Sequence, residues 1–243
     1  MRTKTTLLIG FCAALMGLFS LTLSAQAASS KKGDLEGTLI VTAPSRSGGI
    51  PTPSTNTSST DEYGNAVNNS APTTAVSHAA PEEVVIYLEK VPGHYKAPKK
   101  HVDLDQKYLR FNHRVLAVLK GTTVDFTNHD PVYHNIFTNS QLNKFDLGKK
   151  AAGQVASAKL NHVEVPVKVY CEIHSSMKTN ILVLQNPYFA TVKPGEKFSI
   201  TGIPAGTYTL IAWHDYWEPV EQTVKIKKGS TTQIKITMDK VRE

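Results

Sequence analysis

Val165–Leu184 reads VPVKVYCEIHSSMKTNILVL, an apolar run, a short polar loop and a second apolar run. The flanks are rich in β-branched residues and carry no period of 3.6, so they predict two strands joined by a tight connection. Between them, Cys171, His174 and Met177 stand at C-x2-H-x2-M. A thiolate, an imidazole and a thioether at that spacing fall on one concave side of a short turn, where they can wrap a single ion. Sulfur is scarce elsewhere: Cys12, Met1 and Met16 lie in the first 27 residues, and past them the other sulfur is that of Met238. Past that point Cys171 has no cysteine to pair with, so in an oxidising compartment it must be buried, shared with another chain or bound to a metal.

The N-terminus argues for such a compartment. Met1-Arg2-Thr3-Lys4 is followed by the uncharged stretch TLLIGFCAALMGLFSLTLS and by Ala25-Gln26-Ala27. A basic start, an apolar run and an A-x-A step predict a signal peptide over residues 1–27 and a periplasmic or secreted product. An uncleaved anchor is the alternative, since about 20 apolar residues can span a bilayer. After cleavage no second long apolar run remains, and no further membrane span is expected. Loss of Arg2 and Lys4 takes the formal charge from +7 to +5. The lysines are spread along strands and turns, singly or in pairs, rather than clustered, which suits a solvated surface better than a nucleic-acid face.

The chain then divides by texture. Residues 28–43 hold a short strand, GTLIVTA. Residues 44–81 are Ser, Thr, Pro, Asn and Gly with almost no large apolar side chain, and should form a flexible loop. VVIYLEKV at 84–91 returns to strand character. Residues 101–185 hold a series of short strands, among them VLAVLKGTTVDFTN around Gly121, HNIFTN, QVASAKL, VPVKVYC and TNILVLQ. Residues 186–243 hold five more, punctuated by Lys193-Pro194-Gly195, Gly202-Ile203-Pro204-Ala205-Gly206 and Lys228-Gly229-Ser230. The expected class is all-β, built as sandwiches. Trp213-His214-Asp215-Tyr216-Trp217, at a strand end, is expected either to cap the core of the smaller sandwich or to expose an aromatic face.

A fourth ligand for the ion is sought upstream. His134 opens the strand HNIFT, whereas His129 sits within the preceding turn and has no strand to hold it, so His134 is preferred. Two imidazoles, a thiolate and a weak thioether select a mononuclear copper that cycles between Cu(I) and Cu(II), because the soft sulfur ligands favour that metal and the compromise geometry suits both oxidation states. His101, His113 and His162 are isolated and are expected at the surface, and His94 lies in a Pro-Gly turn.

On those residues the span 101–185 resembles the cupredoxin family, the small blue copper proteins of plastocyanin and amicyanin type. Val118-x-x-Gly121-Thr122-x-Val124-x-Phe126-x-Asn128 resembles their strand pair before the first ligand, and His134-Asn135 resembles the His-Asn step at that ligand. The resemblance implies a Greek-key sandwich with His134, Cys171, His174 and Met177 as ligands, and Asn135 bonding the two ligand loops together. Amicyanin-like members carry a proline and an aromatic after the second ligand His, where this chain has Ser175-Ser176. The pattern F-x-I-x-x-I-P-A-G-T-Y-T-L-x-A-W resembles a carboxypeptidase-regulatory-like or transthyretin-like sandwich module. Its first two strands are expected in GTLIVTA and VVIYLEKV, so that the central domain would be inserted into it. The order of the two modules is similar to bacterial plastocyanin-like proteins often labelled methylamine-utilisation proteins.

The resemblance implies single-electron transfer with a redox partner protein such as a cytochrome or a dehydrogenase, by a monomer. A copper carrier or buffer without a redox role is the alternative, and an envelope interaction module is a third. No Gly-x-Ser-x-Gly elbow, phosphate loop or His-Glu-x-x-His occurs, and no paired His-x-His for oxidase chemistry, so an enzyme is not expected.

Overall fold

The computed structural model describes residues 32–42 and 83–242. The stretch read as a signal peptide and the 44–81 segment lie outside the described residues. The described chain is all-β and carries fifteen strands. In order they are β1 (Lys32–Val41), β2 (Val84–Leu88), β3 (Val102–Asp103), β4 (Val115–Leu119), β5 (Thr123–Thr127), β6 (His134–Thr138), β7 (Phe145–Lys150) and β8 (Val155–Lys159). They continue with β9 (Glu164–Cys171), β10 (Lys178–Leu184), β11 (Phe189–Val192), β12 (Lys197–Pro204), β13 (Gly206–Trp213), β14 (Val220–Ile226) and β15 (Thr231–Met238).

These strands form four sheets: β12-β1-β15, β11-β2-β13-β14, β4-β10-β9-β6-β7 and β3-β5-β8. The alternation of side chains along each strand stacks them in that order. Val84, Ile86 and Leu88 of β2 face one core with Leu35, Leu39, Leu210 and Ile236. Val85 and Tyr87, pointing the other way, join Val115, Leu182, Leu184, Ile211 and Trp213 in a second. On β10, Ile181 and Val183 face a third core with Val118, Phe126 and Val169. This double burial explains why VVIYL and NILVL read as unbroken apolar runs, since both lie between two layers.

The first two sheets make one sandwich and the last two make another. β1 pairs antiparallel with β12 and parallel with β15, while β2 pairs with β11 and β13. The split sandwich is therefore completed by strands that precede the inserted one in the chain. β1 starts at Lys32, earlier than the strand read from the sequence at residue 37, because its inward positions include Gly33 and Gly37, which hide the apolar alternation. Gly37 is required by close packing: a Cβ there would lie 2.7 Å from the Phe198 ring. β7 carries Gly148 and two lysines in FDLGKK and gave little strand signal, yet Phe145 and Leu147 pack on the third core. Trp213 lies between the two sandwiches and Trp217 inside the split one, so the WHDYW cluster is core rather than an exposed aromatic face.

Candidate metal centre

β6 and β9 are antiparallel neighbours, with Ile136 opposite Cys171. His134, two residues before Ile136, shares its face, so the first residue of β6 and the last of β9 project to the same side at one end of the sandwich. His134 is completely buried and Cys171 is 4% exposed, while His174 in the following loop is half-buried. The Cys171 Sγ lies 3.7 Å from Nδ1 of His134 and 3.7 Å from Nδ1 of His174, and the two nitrogens are 3.1 Å apart. The circle through three atoms so spaced has a radius of about 2.0 Å, close to the usual lengths of bonds from imidazole nitrogen and thiolate sulfur to a first-row metal. Among the described residues, these three side chains form the group able to hold a metal ion.

The direction of the His134 lone pair follows from its other nitrogen. Nε2 lies 3.0 Å from Oδ2 of Asp130. An ionised carboxylate only accepts, so Nε2 carries the proton and Nδ1 turns its lone pair towards Cys171 and His174. Asp130 is itself fixed: its N–H donates to Asn128 Oδ1 at 2.8 Å, and its carboxylate accepts the N–H groups of Tyr108 at 2.6 Å and Leu109 at 3.0 Å. Burial alone would push the Asp130 carboxyl up. The bonds from the Leu109 N–H, the His134 ring and the Tyr108 N–H outweigh it and hold the group below the ordinary carboxylate range.

The ligand loop is closed by backbone bonds. Cys171 N–H donates to the Met177 carbonyl at 3.1 Å, and Met177 N–H donates to the His174 carbonyl at 3.0 Å. Asn135 ties this loop to the strand that carries His134: its Nδ2 donates to Glu172 Oε2 at 2.7 Å, and the Glu172 N–H donates to the Asn135 carbonyl at 2.9 Å. Met177 is buried in the same core as Cys171. Ser175 and Ser176 are exposed, so the restraint that a proline would supply comes here from hydrogen bonds at the base of the loop.

His129 stays outside the cluster, with its ring 3.4 Å from Asp105. His101 pairs with Asp125 and His113 with Glu83. Asp130 and Glu172 were not singled out in the sequence. A signal for Asp130 was present in Asn128-x-Asp130, an Asx-type turn that sets a carboxylate four residues before a candidate ligand histidine.

Comparison with known proteins adds modestly to this picture. A family model described as polysaccharide lyase family 4, domain II, matches residues 172–234, a minor part of the chain that runs from the ligand loop into the split sandwich. No curated protein matches in sequence. Among solved structures, an oxidised single-site variant of amicyanin is similar at 17% identity, with a TM-score of 0.32, covering 35% of this chain and 83% of that one. A reduced Cu(I) form of another amicyanin variant is similar at 14% identity and a TM-score of 0.33, covering 40% of this chain and 97% of that one. At that level of likeness, the chemistry has to be argued from the donor set of this chain.

Proposed function

We propose that the protein is an exported type 1 copper protein that passes single electrons, with His134, Cys171 and His174 as the side chains that would hold the metal and the Met177 thioether as a weak fourth donor. The observation that carries this reading is the triangle of two imidazole nitrogens and one sulfur at 3.1, 3.7 and 3.7 Å, with His134 and Cys171 buried and His174 half-buried. Two borderline nitrogens and a soft thiolate form a donor set suited to copper. Bound there, copper would supply a one-electron couple between Cu(I) and Cu(II).

The residues do the rest. The Asp130 carboxylate sets the tautomer and the angle of His134. The Asn135–Glu172 pair keeps the two ligand-bearing segments in register. Burial of Cys171 keeps oxidants and a second thiol away from its sulfur. His174 is the least buried of the three and has Ile173 and Ser175 exposed beside it, which gives a redox partner such as a cytochrome or a dehydrogenase an edge to approach.

Absorption tests the reading. The Cu(II)-loaded chain should show an intense thiolate-to-copper band in the visible, absent in Cys171→Ser; a loaded chain that shows no such band sinks the blue-copper assignment. A copper carrier or buffer is the second reading, favoured by the exposed Ser175-Ser176 edge of the loop. Voltammetry separates the two, because an electron carrier gives a reversible couple at the protein-bound metal.

A further inference from the structure

Beside the ligand loop lies an open groove of about 750 Å³ that has Ser176 and Met177 in its wall. Lys107, Arg110, Arg114, Lys178 and Lys193 also line it, and all five are exposed. They are scattered in the sequence, which suggested an evenly solvated surface; the fold gathers them. Lys107 and Arg110 come from the turn before β4, Arg114 from the entry to β4, Lys178 from the first position of β10, and Lys193 from the β11–β12 turn of the split sandwich. The groove therefore depends on the docking of the two sandwiches.

Among the described residues none of the five is in a salt bridge. The carboxylate in the groove wall, Glu83, is occupied by His113 at 3.3 Å. Three of the cations rest on tyrosine rings, Lys107 on Tyr108 and Arg114 and Lys178 on Tyr216, which leaves their charge unneutralised. Positive charge without a carboxylate partner along one groove attracts an anionic surface over a Debye length of about 10 Å at ordinary salt. The cations also come with apolar contact area: Tyr108 and Leu109, on the same turn as Lys107 and Arg110, are 73% and 47% exposed. Their backbones sit in the left-handed region, at φ 58° and 54°, and their N–H groups bond the Asp130 carboxylate that orients His134. Strained backbone in non-glycine residues persists only where its surroundings fix it, here the carboxylate of the metal centre.

We propose that this groove is the docking site of an acidic protein partner, whose surface carboxylates meet the five cations while its apolar surface packs on Tyr108 and Leu109. The proposal rests on the electron-transfer reading for its purpose, not for its geometry. Cations spread over four segments, with an exposed aromatic among them, suit a protein surface better than one small anion or a featureless polyanion.

Two probes identical except for charge test it: cytochrome c, which is basic, and the same protein succinylated so that its lysines become carboxylates. Association is measured with the metal-free chain, and electron transfer with the copper-loaded chain. At low salt the succinylated probe should bind at least about tenfold more tightly than its parent, and the advantage should shrink as salt approaches the Debye regime of a few ångströms. Lys107→Glu with Arg110→Glu should abolish the preference, as should the independent pair Lys178→Glu with Lys193→Glu. Lys225→Glu with Lys235→Glu, exposed on β14 and β15 of the split sandwich, makes the same change in net charge and should leave most of the preference. Equal losses in all three double variants, or tighter groove-dependent binding to anionic lipid vesicles than to the succinylated probe, would overturn the proposal. Binding without electron transfer leaves the groove assigned and counts against the redox reading; a blue, reversible centre with no charge preference does the reverse.

Discussion

Asp130 accepts a hydrogen bond from Nε2 of His134 at 3.0 Å, with both side chains buried, so the tautomer of the deepest candidate ligand is decided by a carboxylate four residues upstream. Replacing Asp130 by Asn keeps the size but presents an uncharged amide to the ring. Copper affinity should fall roughly 10–100-fold, the usual cost of losing such a partner. Competition against a chelator of known affinity measures it. An unchanged affinity would show that the carboxylate only supports the Tyr108–Leu109 turn.

Met177 is packed in the core with Cys171, and its backbone closes the ligand loop through its N–H and carbonyl. Met177→Leu conserves most of the volume and all of the backbone bonds, so the fold and the copper binding should survive. If the thioether is the weak fourth donor of the proposed copper site, its loss should raise the reduction potential, since the donor favours Cu(II) over Cu(I). An identical potential in Met177→Leu would place the thioether outside the metal's reach.

His214 is buried beside the Tyr216 ring, and its Nδ1 accepts the Tyr216 N–H at 3.1 Å. Burial, aided by the nearby Arg114 charge, lowers its pKa from 6.5 to about 4. The unfolded chain then takes up a proton at a higher pH than the folded one. The stability that His214 contributes is fully present above pH 6.5 and is lost as the pH falls towards 4. The loss reaches a few kcal/mol, at about 1.4 kcal/mol per pH unit. Urea unfolding of the metal-free chain at pH 7 and pH 5 should show a smaller drop in His214→Gln than in the native sequence.

Leu182 is fully buried in the core that joins the two sandwiches. Leu182→Ala should cost about 2–5 kcal/mol, as for other large-to-small changes in well-packed cores. Because that core also fixes Lys193 relative to Lys178, the variant should weaken the groove before the metal site. Thermal unfolding and the charge preference for succinylated cytochrome c measure the two effects separately.

Much of the fold was legible because strand signals are local. VLAVL, TVDFT and KTNILVL announce themselves by β-branched residues and by a glycine or polar break at each end, and the structure places strands there. β7 and the first half of β1 were hidden for an equally local reason: glycines and lysines occupy positions where alternation would have shown. The three side chains that the structure clusters were also legible as a group. C-x2-H is a spacing within one turn, and His134 could be chosen over His129 because only one of them opens a strand.

By itself the sequence determined an all-β chain, the identity of the candidate ligands and the presence of a flanking module, since these depend on residue type and on neighbours a few positions apart. Only the tertiary structure decided that Asp130 sets the proton on His134, that Glu172 answers Asn135, that β2 and β10 are buried on both faces, and that five scattered cations line one groove. Each of these joins residues through strand register or sheet stacking. Register and stacking are set by the sum of many burial energies across the whole molecule, and no short window of sequence carries that sum.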